Sequence, residues 1–158
     1  MEPRIQYTKF APEAARALYA LERHLNASNL GETLLELVKM RASQINGCAY
    51  CLDMHSKDAR ANGETEQRLY GLNAWRETPY YTPKERAALE WTESLTLVSQ
   101  SHVPDEVYEA VKKEFSEAEI VDLTYAVVAI NAWNRLAIAM RAVPGEYHPA
   151  HKKSSAAT

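Results

Sequence analysis

The stretch Glu36–His55, ELVKMRASQINGCAYCLDMH, holds both cysteines of the chain and changes element at a single glycine. Upstream of Gly47, the apolar residues Leu34, Leu35, Leu37, Val38, Ala42 and Ile45 recur at helical spacing, over a helix of about Glu32 to Asn46. Asn46-Gly47 then reads as a C-terminal cap. A second helix starts near Cys48 and stops at Asn62-Gly63. Two helices meeting at one glycine, with no hairpin signal between alternating runs, point to an all-α fold.

The flanking sequence agrees. Pro12 suits the first turn of a helix to about His24, with Ala15, Leu18, Tyr19 and Leu21 at helical spacing. Residues 26–31 read as a loop, and a short helix spans roughly Glu66 to Asn73. Thr82-Pro83-Lys84-Glu85 is a helix start: Thr82 caps, Pro83 fits the first position and Glu85 reaches back. That helix runs through Leu89, Trp91 and Leu95 to about Ser99. Pro104 opens a short helix over Asp105–Glu114. Ser116-Glu117-Ala118-Glu119 is a capping box for the last and longest helix, which ends before Pro144-Gly145. The expectation is one all-α domain over residues 1–147, of about seven helices with the long C-terminal helix at its centre. Residues 148–158 lack periodicity and are expected to be a disordered tail.

Composition narrows the function classes. The net charge of −3 gives no basic field for nucleic acid and no polybasic membrane patch. The apolar region Ile120–Met140 contains Asp122, Asn131, Asn134 and Arg135, so it reads as a buried helix rather than a membrane span. Asn131, Asn134 and Arg135 need partners there and are expected to tie helices together or to help line a pocket. The N-terminus lacks a basic-then-apolar export pattern, and the expected location is cytoplasmic. In that compartment a cysteine pair is more often catalytic or metal-binding than structural.

With Cys48 at zero and about 100° per residue, Cys51 falls near 300° and His55 near 340°. Both thiols and the imidazole share one face, whereas Asp53, Lys57 and Arg60 take the other. Gly47 precedes Cys48, so both cysteines sit at the helix N-terminus, where unpaired N–H groups and the helix dipole favour a thiolate. Three readings are open: two structural cysteines beside a core histidine, a zinc site completed by a remote carboxylate, or a thiol–disulfide pair served by a general base. The missing second ligand pair disfavours zinc, and the helix start favours redox chemistry. Glu36 falls outside the buried arc of its helix, and periodicity reads it as solvated. Arg41 falls inside the arc and needs a partner. These two anomalies suggest that both faces of the helix are covered, with a second subunit as a candidate cover.

Glu36, eleven residues, Cys48-Ala49-Tyr50-Cys51, three residues and His55 together resemble the signature of the alkylhydroperoxidase D (AhpD)-like proteins of the carboxymuconolactone decarboxylase superfamily. Residues 43–47, Asp53-Met54-His55, Ala74-Trp75-Arg76-Glu77 and the segment Asn131–Leu136 extend the resemblance over about residues 15–145. It implies an all-helical homo-oligomer, trimer or hexamer, that reduces hydroperoxides. Cys51 would be the peroxidatic thiol and Cys48 the resolving one. His55 would assist deprotonation, and Glu36 would belong to the proton relay. The implied reductant is a dithiol on a partner, such as lipoyl groups of a dehydrogenase-complex subunit; no haem, flavin or metal is implied. Tyr50 departs from the pattern, because well-characterised relatives carry a relay histidine there. Tyrosine, with a pKa near 10, is a poor neutral-pH shuttle and is expected to pack. Trp75 and His102 are further candidates for the border of the site. A lactone-acid decarboxylase and a non-enzymatic redox sensor are the competing functions. The cysteine pair is superfluous to the first, and the second needs no turnover.

Overall fold

The computed structural model describes residues 2–149. Among them lie nine α-helices and one 3-10 helix, and no strand. In chain order the helices are α1 (Tyr7–Phe10), α2 (Pro12–Asn26), α3 (Glu32–Asn46), α4 (Ala49–Ala61) and α5 (Glu66–Tyr70). The 3-10 helix Leu72–Glu77 follows, then α6 (Pro83–Thr96), α7 (Val98–Ser101), α8 (Asp105–Glu114) and α9 (Glu117–Met140). The all-α expectation holds. The count exceeds seven because α1 and α7 are single turns too short to show periodicity. The segment after Glu66 is also not one helix: Ala74 has non-helical angles inside the 3-10 turn that follows α5. Of the tail expected to be disordered, only His148 and Pro149 are described, without regular structure; residues 150–158 lie outside the described residues.

The caps form as their residue types dictate. Thr82 and Ser116 each accept from the third residue of their helix, and Glu85 and Glu119 return the bond to the cap backbone. Gly47 ends α3 in the left-handed region, at φ 67°. Its N–H donates to Gln44 O and the Cys48 N–H donates to Ser43 O, the paired bonds of a Schellman turn. Any Cβ at that φ would be strained, so glycine is what lets α4 double back on α3 at once.

The helix at the centre is α3. It packs against α4, α6 and α9, and every residue from Leu34 to Met40 is buried. The long helix α9 packs on α2, α3, α4, α6 and α8. It was expected to be covered all round; instead Val121, Tyr125 and Val128 lie about half exposed. The main core joins Leu25, Leu35, Val38, Ala88, Trp91, Val111, Leu123 and Val127 from five helices. A second cluster, around Leu37, Leu72, Trp75 and Leu89, seals α3 against α4, α6 and the 3-10 turn. A third sets Cys48 and Cys51 on Ala42, Ile130 and Ala137. Asn134, fully buried, ties α9 to α3: it donates to Ser43 Oγ at 3.0 Å and accepts from Asn46 Nδ2 at 2.8 Å. The expected helix-tying role of these asparagines is what the structure has. Among the described residues no helix is long and apolar enough to cross a membrane.

Candidate active site

The α3–α4 hairpin builds the site. Cys48 is the N-cap of α4, and its Sγ accepts from the Cys51 N–H at 3.4 Å. Cys48 and Cys51 are joined as a disulfide and are almost wholly buried. One turn on, His55 points to the same side, as the helical spacing requires. On α3, running the opposite way, Glu36 comes level with it: Glu36 Oε2 lies 2.8 Å from His55 Nδ1.

Glu36 thus corrects its periodicity-based reading. It is 7% exposed, not solvated. The arc of apolar residues marks only where α3 meets other apolar faces. The opposite face is covered too, by polar groups of the same chain, not by the second subunit suggested by the sequence. Lys39 Nζ donates to Glu36 Oε1 at 3.3 Å and pairs with Glu22 Oε2 of α2 at 3.2 Å. Trp133 Nε1 of α9 donates to the other Glu22 oxygen at 3.1 Å. A chain of polar contacts therefore runs Trp133–Glu22–Lys39–Glu36–His55 across four helices. Arg41, the other anomaly, finds its partner within the chain: its Nε donates to Glu93 Oε1 at 2.7 Å.

The electrostatics fix protonation. Burial pushes the Glu36 carboxyl up, but the hydrogen bond and charge of His55, with the Lys39 ammonium, outweigh it and hold Glu36 below its ordinary value. Burial likewise presses Lys39 down, and Glu36 and Glu22 more than offset it. Glu36 is therefore an ionised acceptor, and His55 must present Nδ1–H to it. With Nδ1 committed to Glu36, Nε2 is the ring nitrogen left to exchange a proton, the arrangement of a general base oriented by a carboxylate.

A cavity of about 800 Å³ opens over this pair. Of the two cysteines, Cys51 lines it and Cys48 does not. Tyr7, Tyr19, Tyr50 and Trp133 form aromatic walls, and Glu22, Glu32, Glu36, Lys39 and Asp58 supply ionisable groups. Tyr50 is half-buried and also packs against the cysteine cluster, as its expected role requires. Trp75 and His102 do not line the cavity: Trp75 lies in the second core cluster and donates to Glu93 at 2.7 Å, and His102 caps α7.

Four contributors were not singled out in the sequence. Lys39 stands three residues after Glu36, and Asp58 stands seven after Cys51 on the same face of α4, so helical spacing carried both signals. Glu22 and Tyr147 carried none, because they arrive from distant segments. The segment after α9 lies across α4. The Gly145 N–H donates to Asp53 Oδ2 at 3.0 Å, and Lys57 Nζ donates to Gly145 O at 3.2 Å and Tyr147 O at 3.0 Å. The Tyr147 hydroxyl then donates to Asp58 Oδ1 at 2.8 Å, at the cavity. Donor atoms of Glu36, His55 and Asp58 lie within 4.8 Å of one another and form the one candidate cation site among the described residues. The Lys39 ammonium already neutralises Glu36 there.

The profile of the carboxymuconolactone decarboxylase family matches residues 12–94. The uncharacterized protein YdfG of Bacillus subtilis is 46% identical over 140 residues, which are 89% of this chain and 95% of that protein. A crystal structure of an Agrobacterium tumefaciens protein of unknown function, proposed as the antioxidant defence protein AhpD, superposes with a TM-score of 0.86 at 43% identity. That match covers 94% of this chain and 99% of the other. The debrominase Bmp8 shares the fold, with a TM-score of 0.75 at 20% identity over 88% of this chain and 75% of its own. One fold thus carries different chemistries, and this chain belongs to the carboxymuconolactone decarboxylase family, with an AhpD-like helical fold.

Proposed function

We propose that the protein is a thiol peroxidase that reduces organic hydroperoxides through Cys51 and Cys48. The observation that carries this reading is that Cys51 alone of the two cysteines faces the cavity that His55 and Glu36 also line. An attacking thiol needs access to substrate and a base; a resolving thiol needs only to reach the attacker.

The cycle begins when a dithiol reductant opens the disulfide and becomes a disulfide itself. His55 Nε2 takes the Cys51 proton, and the first turn of α4 stabilises the thiolate. The thiolate attacks the terminal oxygen of ROOH, the O–O bond breaks, and ROH leaves after protonation of RO⁻. Cys51 is left as a sulfenic acid. The Cys48 thiol displaces its hydroxyl as water and restores the disulfide. Glu36 acts through His55, holding its tautomer and stabilising the imidazolium. The AhpD-like family membership supports a homo-oligomer, and the reductant that fits is a carried dithiol such as a lipoyl group.

The test is turnover of tert-butyl hydroperoxide with dihydrolipoamide as donor. Wild type consumes the peroxide and Cys51→Ser does not. Cys48→Ser accumulates a dimedone-reactive sulfenic acid at Cys51. Undiminished turnover in Cys51→Ser overturns the reading.

A further inference from the structure

The cycle above leaves one proton unassigned, the one that the departing RO⁻ must receive. Glu36 cannot give it: its carboxylate is ionised and held by His55 and Lys39. Lys39 is committed to Glu36 and Glu22, and Asp58 is the cavity-lining carboxyl that, besides Glu36, clusters with the base. It lies at i+7 from Cys51 and i+3 from His55, so the three side chains form one stripe along α4. Its carboxylate is within the 4.8 Å cluster with Glu36 and His55, and it lines the cavity with Cys51.

The surroundings of Asp58 favour its acid form more than free solution does. The groups facing it are Glu36 and Lys39 from α3, His55 on α4 and Tyr147 from the segment after α9. Burial raises its carboxyl above the ordinary value. The Tyr147 hydrogen bond opposes that rise, and the Glu36 charge adds to it. Two neighbouring carboxyls are thereby driven apart, one held ionised and the other held toward its acid form.

We infer that Asp58 is the proton donor of the site, delivering a proton to the oxygen that leaves the hydroperoxide. This rests on the thiol-peroxidase reading. As the Cys51 S–O bond forms, the O–O electron pair goes to RO⁻. Asp58 transfers its proton to that oxygen, giving ROH and an Asp58 carboxylate. The imidazolium of His55, which holds the proton taken from Cys51, returns it to Asp58. The sum is thiol plus ROOH giving sulfenic acid plus ROH, with no external proton.

The test compares two oxidants on the pre-reduced full-length protein by quenched-flow measurement of Cys51 oxidation. tert-Butyl hydroperoxide expels strongly basic tert-butoxide, which needs the donor. Peracetic acid expels weakly basic acetate, which does not. Asp58→Asn is expected to slow the first reaction by about 10²-fold. It should slow the second far less, so that the ratio of the two rates falls, and alkylation of Cys51 by iodoacetamide in a Cys48→Ser background reports any effect on the thiolate itself. An equal slowing with both oxidants, or no slowing with either, overturns the assignment while the thiol-peroxidase reading stands. A wild-type protein oxidised by neither overturns both. Tyr147→Phe supplies an independent arm that keeps Asp58 in place. Loss of its hydrogen bond raises the Asp58 pKa further, so the limb of the tert-butyl hydroperoxide rate that falls as Asp58 loses its proton moves to higher pH. A profile that does not move overturns the assignment.

Discussion

At the scale of the residue, Glu36 carries two loads. It orients His55, and it neutralises a lysine buried deep between helices. Glu36→Gln keeps the shape but removes the charge, leaving Lys39 with Glu22 alone. The expected cost is roughly 3 kcal/mol, at the low end for a broken buried pair because the second carboxylate remains. Urea unfolding measures it. The pH dependence follows from the sign of the shift. The folded-state pKa of Glu36 lies below its unfolded value, so its contribution is complete above the unfolded value. It is lost as pH falls through the folded one. The stability gap between wild type and Glu36→Gln should therefore be full at neutral pH and close in strong acid. Lys39 is shifted upward, so its share is complete below its unfolded value and is lost as pH rises through the folded one, which leaves the neutral window untouched. A gap that widens on acidification would contradict the pairing. Peroxide turnover should fall as well, since Gln can still accept from Nδ1–H but no longer stabilises the imidazolium.

At the scale of the element, the helices write their own boundaries, and this is why most of the fold was legible. Caps at Thr82, Ser116 and Gly47 depend on residues within one turn, and so does the shared face of Cys48, Cys51 and His55. Glu36 was legible only through resemblance. Periodicity measures apolarity, and a face covered by Lys39, Glu22 and His55 looks the same as one covered by water. Glu22 and Tyr147 reach the site from elements far away in the chain, so no local spacing could announce them. Asp58 was within reach of the helical wheel, yet an acidic residue on a thiol face reads as solvent-facing until a cavity lies over it. The asparagines of α9 are the intermediate case: their type predicted a need for partners, and the fold supplied Ser43 and Asn46. Asn134→Ala removes an acceptor for Asn46 and a donor for Ser43 in a fully buried setting. It should destabilise the protein by about 2 kcal/mol, the cost of stranding buried polar partners. Thermal unfolding with unchanged far-ultraviolet circular dichroism would register this as lost docking of α9 on α3. A change below a few tenths of a kcal/mol would mean the network is water-replaceable.

At the scale of the whole molecule, an uncovered apolar face lies on α9. Val121, Tyr125 and Val128 stand at i, i+4 and i+7, at 54%, 49% and 51% exposure, and so form one apolar stripe along a helix whose other sides are packed. The sequence hinted at a subunit contact through the anomalies of α3, but those are resolved within the chain. The α9 stripe is the better seat, because it is contiguous, apolar and free of acidic residues at its centre. Exposed apolar surface of this kind marks association sites. Self-association through it agrees with the homo-oligomer expected of an AhpD-like protein, and none of its three residues lines the cavity. Val121→Glu combined with Val128→Glu should therefore reduce the mass seen by light scattering from a multiple of the chain to a single chain at micromolar concentration. Because neither side chain touches the cysteines, the single-turnover oxidation of Cys51 should survive in the dissociated protein. A wild type that is already monomeric would remove the need for any cover. A variant that stays assembled would move the interface elsewhere, whereas loss of oxidation on dissociation would mean that assembly itself shapes the cavity.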